Sequence, residues 1–200
     1  MLSPVPGIAA TAYTFAAFGD TPYSAEEESQ FLPLLASMNR EPLAFAIHVG
    51  DFKSGSSPCS DETYLQRREW FALSHHPLIF VPGDNDWTDC WRSFGARRDP
   101  LERLTRLREL FFPDDQSLGQ QTLTLTRQGA APGRQRYPEH ARWIYRRVVF
   151  ATLNLPGGDN NRSRMPEEAR EREAAVSAWI HEAFRVARDE KLPGVVLAMQ

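Results

Sequence analysis

Ile47-His48-Val49-Gly50-Asp51 closes a hydrophobic run with a glycine and an acid, and two other stretches do the same. They are Phe15-Ala16-Ala17-Phe18-Gly19-Asp20 and Ile79-Phe80-Val81-Pro82-Gly83-Asp84. Asp51 follows Asp20 by 31 residues, and Asp84 follows Asp51 by 33. Each stretch reads as a buried strand running into a tight turn that presents a carboxylate. In an open α/β sheet, ligands gather outside the carboxyl ends of the strands. Three carboxylates on one edge repel each other unless a cation neutralises them. The expectation is a hard-metal site and, with it, metal-assisted hydrolysis of a phosphate ester. The plain alternative is that the acids are turn or capping residues, because Asp and Gly are common in turns.

The segments between these turns support parallel strands. Ser24 reads as a helix cap with Glu27 three residues on. Phe31, Leu34, Leu35 and Met38 then recur at helical spacing. Residues 43–49 form the next strand. Asp61 is expected to cap a helix running through Tyr64, Trp70 and Leu73, and His76-Pro77 stops it before a strand at 78–82. Strand and helix in alternation argue for βαβ units. Asp99-Pro100 opens a third helix with Leu101, Leu104, Leu107 and Leu110 on one side.

Beyond Pro113 the pattern changes. Thr122-Leu123-Thr124-Leu125-Thr126 alternates with period two. Strands are expected at 143–145 and 148–153, forming a second sheet with antiparallel neighbours. Residues 128–140 read as an exposed loop, as does the segment from Pro156 to Arg164. A charged helix over 166–191 turns Ala175, Trp179, Phe184 and Val186 to one side. Val195 to Met199 start another strand, and the chain stops at Gln200 inside it. The expectation is one domain over residues 1–200, incomplete at its C-terminus.

Bulk properties set outer limits. The 200 residues are 42% hydrophobic and 24% charged, as in a water-soluble globular protein. The formal net charge of −3 gives no general drive toward nucleic acid or an anionic membrane. No apolar run of about 18 residues is present, so no membrane span is expected. Met1 to Ala10 lacks a basic start and a full apolar core, and so does not read as a signal peptide. Two cysteines, Cys59 and Cys90, are too few for a disulfide framework and wrongly spaced for zinc. Both follow an acidic strand end, so the thiols could meet if those strands are neighbours. Free thiols would suit a cytoplasmic protein. A disulfide would imply an oxidising compartment, secreted or periplasmic.

The three turns and their spacing resemble the calcineurin-like metallophosphoesterase superfamily. The blocks are Gly19-Asp20-Thr21-Pro22, Gly50-Asp51 and Gly83-Asp84-Asn85-Asp86. The wording matches a histidine-poor, uncharacterised subgroup. The resemblance implies a two-sheet sandwich flanked by helices. It implies Asp51 as the carboxylate bridging two metals, Asp20 as a ligand of the first and Asp84 of the second. Pro22, Asn85 and Gln200 stand where the family carries histidines. The remaining set is rich in oxygen, which favours Mg²⁺ or Mn²⁺, as one or two ions, over zinc.

Other side chains carry weaker expectations. Asn85 could ligate metal or bind a phosphate oxygen, and Asp86 could act as the acid if its pKa were raised. Both could equally build the turn. Arg92 continues from the third acidic turn and suits phosphate. Lys53, Arg97 and Arg98 are weaker candidates of the same kind. Asn154, after a hydrophobic strand, and the amides of the segment from Asn154 to Asn161 could contact substrate at the same edge, or the segment could be a plain turn. His48 reads as a core histidine, His75 and His76 as helix-end residues, and His140 and His181 as exposed. The expected partner is a small or exposed phosphate ester. The competing class is a degenerate, non-catalytic domain that binds a phosphorylated ligand or a protein. A flavodoxin-like nucleotide binder lacks its glycine-rich loop.

Overall fold

The computed structural model describes residues 12–92, 97–129 and 137–200. The chain is an α/β protein, with two open sheets and four α-helices among the described residues. The first sheet contains β1 (Thr14–Phe18), β2 (Leu43–His48) and β3 (Leu78–Phe80), all parallel and in sequence order. The second contains β4 (Thr126–Gln128), β5 (Tyr137–Tyr145), β6 (Val148–Thr152) and β7 (Gly194–Ala198), also in sequence order. Here β4, β5 and β6 are antiparallel, and β7 joins β6 in parallel after a helical crossover.

Phe45, Ile47 and Ile79 of the first sheet pack with Ala141, Trp143 and Phe150 of the second in one apolar cluster. On its other face the first sheet meets α1 (Ala25–Met38), α2 (Asp61–Ala72) and α3 (Pro100–Phe111) through Phe31, Phe71, Phe80 and Phe111. The second sheet meets α4 (Pro166–Asp189) through Val149, Ala151, Val176 and Ala183. The inner strands β2 and β3 thus bury one face against the other sheet and one against helices, which explains their near-continuous apolar runs.

Several helix starts follow the sequence. Ser24 Oγ accepts from Glu27 N–H, and Glu27 Oε2 accepts from Tyr23 N–H. Asp99 Oδ1 accepts from the amides of Leu101 and Glu102 at 2.8 and 3.0 Å. Asp99→Ala is expected to cost about 1 kcal/mol, read as a lower urea midpoint, because two amides of the first turn lose their acceptor.

Other expectations are corrected. Ser60, not Asp61, caps α2, its hydroxyl accepting from Thr63 N–H. Asp61 instead pairs with Arg103 and Arg106 of α3. His75 and His76 lie beyond the end of α2, at Ala72. β1 is an edge strand with Phe15 36% exposed, so of the three runs it alone is not mostly buried. The threonine alternation is not a strand: Thr124 makes one isolated bridge to Gln116, and pairing with β5 begins at Thr126. Residues 137–140 belong to β5, where Glu139 and His140 are buried; residues 130–136 of the expected loop lie outside the described residues. Burial holds the His140 imidazole down to about 4, in its neutral form. Phe184 faces outward, 54% exposed.

Candidate metal-binding edge

The parallel register decides where the acids go. Phe18 pairs with His48, and His48 with Phe80, so the three strands end level with one another. Asp20, Asp51 and Asp84 follow within two to four residues and emerge at the same edge. Two glycines allow the central turns to close. Gly50 has φ +96°, and a Cβ there would lie 2.4 Å from Gly83 N. A Cβ on Gly83 would lie 2.1 Å from Asp51 Oδ1. No side chain fits either position, so each glycine before an acid is a steric requirement of the neighbouring turn. Asp20 and Asp51 themselves have φ of 54° and 59°, a left-handed conformation that aspartate tolerates better than most residues. Strained backbone of this kind clusters at functional sites.

The carboxylates are linked through neutral donors. Tyr23 Oη lies 2.9 Å from Asp20 Oδ1 and 3.0 Å from Asp51 Oδ2. Gln200 Nε2 lies 2.8 Å from Asp51 Oδ2 and 3.2 Å from Asp84 Oδ1. Gln200 Oε1 accepts from the amides of Asp84 and Gly157. Asn85 donates its backbone N–H to Asp51 Oδ1 at 3.0 Å and its Nδ2 to Tyr23 Oη at 3.2 Å. Gln200 arrives from the second sheet, two residues past Ala198 of β7. The edge is therefore built where the carboxyl ends of both sheets meet.

Asp51 is the most burdened acid. It is 2% exposed, and among the described residues it joins no ion pair. Burial, with the negative charges of Asp86 and Asp84, pushes its carboxyl up to about 8. A group in this state has high affinity for a positive charge, whether a proton or a metal cation. Burial and the carboxylates of Asp20 and Asp51 likewise raise the Tyr23 phenol, keeping it a donor.

The remaining candidates divide. Asp86 is fully buried and accepts from the amides of Asp51, Phe52 and Gly83 at 2.8–2.9 Å. Its oxygens brace the two central turns from behind; burial raises its carboxyl against those amides and the nearby Lys53. Lys53 is itself buried, its ammonium held by the carbonyls of Ser54 and Ser57 rather than offered to a ligand. His48 is a neutral core histidine whose Nδ1 accepts from Gly50 N–H, with burial pulling its imidazole down to about 3. Asn154 is not at the edge surface. It turns inward, donating Nδ2 to the fully buried Glu139, which also holds Arg108. Arg92 pairs with Asp89 and lines a groove of about 140 Å³ that reaches Asp84. Arg97 is exposed, and Arg98 is tied by its backbone amide to Cys90 O.

Tyr23 is a member of the edge that sequence reasoning missed, whereas Gly157-Gly158 belongs to the 154–161 segment expected at this edge and lies beside Asp84. The signal for Tyr23 was its place three residues after Asp20. A Cβ at Gly157 would lie 3.3 Å from Asp84 Oδ2. As placed, no three His, Cys, Asp or Glu side chains among the described residues close on a common point at metal-ligand spacing. The Tyr23 hydroxyl and the Gln200 amide lie between the carboxylates instead.

Behind the edge, Cys59 and Cys90 form a disulfide with Cα atoms 5.6 Å apart, which overturns the free-thiol reading. It joins the loop after β2 to the 3₁₀ turn Thr88–Trp91 after β3. No helix among the described residues is long and apolar enough to cross a membrane. No protein-family model, no curated protein sequence and no solved structure matches this chain.

Proposed function

We propose that this protein is a divalent-metal-dependent phosphoesterase whose metal ligands are Asp20, Asp51 and Asp84. The observation that carries the reading is the Asp51 carboxylate, buried between two other acids with no cationic partner among the described residues. A hard cation suits this donor set, which is entirely oxygen apart from the Gln200 amide nitrogen. Tyr23 Oη bridges Asp20 to Asp51, and Gln200 Nε2 bridges Asp51 to Asp84. Each donor stands between a pair of carboxylates, which supports one or two ions with Asp51 shared. The two sheets packed face to face with helices outside are also what the calcineurin-like resemblance implies.

When bound, Mn²⁺ or Mg²⁺ would supply charge neutralisation for the phosphate and a water molecule of lowered pKa. The chain supplies the rest. Asp51, held by Asn85 N–H, fixes the centre of the site. Asn85 Nδ2, 3.2 Å from Tyr23 Oη, is a neutral donor suited to a phosphate oxygen. Asp86 keeps the Asp51 and Gly83 turns in register rather than moving a proton. Arg92 offers a guanidinium from the adjoining groove. The disulfide supports an oxidising compartment, secreted or periplasmic.

The non-catalytic alternative draws on a specific observation: Tyr23 and Gln200 already satisfy the carboxylates with neutral hydrogen bonds. One experiment separates the two. Protein freed of metal by chelation is assayed on an aryl phosphate before and after Mn²⁺ or Mg²⁺ is added. Hydrolysis that appears only with the ion is the expected result. Binding of neither ion by calorimetry, with no hydrolysis, would overturn the catalytic reading.

A further inference from the structure

The groove beside Asp84 contains more than Arg92. Its far wall carries Arg164, whose guanidinium lies 4.3 Å from the centroid of the Trp91 ring. Arg92 lies 5.9 Å from the same ring and is tied to Asp89. Arg164 makes no ion pair among the described residues; its contact is the indole face. An arginine stacked on an aromatic ring keeps its planar edge of N–H donors directed sideways, and its entropy is already reduced. Gly157 and Gly158 form the floor between this wall and Asp84, where a Cβ would come within 3.3 and 3.5 Å of Asp84 Oδ2.

The walls are fixed from outside the groove. Arg172 of α4 is fully buried and donates to Asn154 O at 2.8 Å and to Asn160 O at 3.0 Å. Asn161 is buried and donates to Glu168 at 2.9 Å. These bonds anchor the loop that ends in Arg164. On the other side the disulfide fixes the turn that carries Trp91.

We infer that Trp91, Arg92 and Arg164 form a second anion subsite, which takes a phosphate group carried on the leaving side of the substrate. The inference rests on the proposed function, which seats the scissile phosphate at Asp20, Asp51 and Asp84. The groove runs from Asp84 to the guanidiniums, with Asp89 paired to Arg92 and Asp159 also on its lining, and its volume of about 140 Å³ has room for one further phosphate. The favoured substrate class is accordingly a compound with two phosphates close together, rather than a simple monoester.

Two non-hydrolysable probes test this, methylenediphosphonate and methylphosphonate, with Kd measured by calorimetry at fixed free Mg²⁺. The wild-type protein is expected to bind the diphosphonate about tenfold or more tightly. Arg164→Ala is expected to reduce that preference about tenfold, the loss of one charge-assisted contact, while methylphosphonate and Mg²⁺ affinities stay unchanged. Arg164 is exposed, so this variant keeps the fold. A wild-type protein without the preference, or an Arg164→Ala variant that retains it in full, overturns the subsite. Asp51→Asn reads the metal centre separately. If it binds Mg²⁺ as the wild type does, the metal assignment fails, and the Arg164 comparison still decides the subsite.

Discussion

Asp51→Asn is expected to lower metal-dependent hydrolysis by about 10²–10³-fold, while Glu62→Gln leaves it unchanged. Asp51 is the one acid that touches both bridging donors, whereas Glu62 is exposed on α2. The fold should survive, because the substitution removes a buried charge and retains an oxygen to accept from Asn85 N–H. Elemental analysis after gel filtration in Mn²⁺ gives the accompanying readout. Equal metal content in the two variants would remove Asp51 from the site.

The same residue sets a pH dependence of stability. Its carboxyl titrates near 8 in the folded chain but in the ordinary carboxylate range, near 3.8, when unfolded. Between those values the folded state holds the extra proton, so its stability falls as pH rises from about 4 to about 8. Asp51→Asn is expected to flatten that decline in metal-free protein, measured as the urea midpoint against pH. Asp86, also raised, leaves a residual slope. A bound cation should reverse the trend in the wild type, since it replaces the proton.

The second large effect is on stability. Replacing Cys59 and Cys90 by serine opens a loop with a sequence separation of 31. The loss is expected to be about 3–4 kcal/mol on the chain-entropy estimate. For a chain of this length that lowers the melting temperature by roughly 10 °C. Calorimetry of the double variant, beside wild type with and without reductant, checks it. A double variant as stable as the oxidised wild type would mean that the loops after β2 and β3 are held by other contacts. Tyr64, near both Cys90 and the Asp86 carbonyl, would be the first candidate.

What could be read from the chain follows from locality. Ser24, Asp99 and Pro100 act within one turn of their own helices, so they announced α1 and α3. The Gly-Asp turns were legible because parallel strands in sequence order need no long-range information to end level. Residues 137–140 were not, since a Pro-Glu-His run resembles a loop until Arg108 reaches Glu139 from α3 to neutralise it. Asn154 misled for the same reason: its Glu139 partner lies 15 residues away on another strand. Asp84 and Asp86 are the same residue type two positions apart, yet one faces the open edge and the other three amides. Only the turn geometry distinguishes them.

Gln200 reaches Asp51 across 149 residues, and it does so from a strand that docks only after α4 has crossed the second sheet. Contacts of such separation form late, because the intervening chain must be ordered before they are rewarded. The first sheet can assemble from its own neighbours, carrying its three acids exposed to water and to one another. During synthesis the edge would therefore pass through a stage in which its mutual repulsion is relieved by solvent and free ions alone. Its polarity changes again when β7 brings Gln200 to Asp51 and Asp84. In pulse-labelled refolding, amides of β2 and β3 should gain protection before those of β7, and the metal-binding step should follow the slower phase.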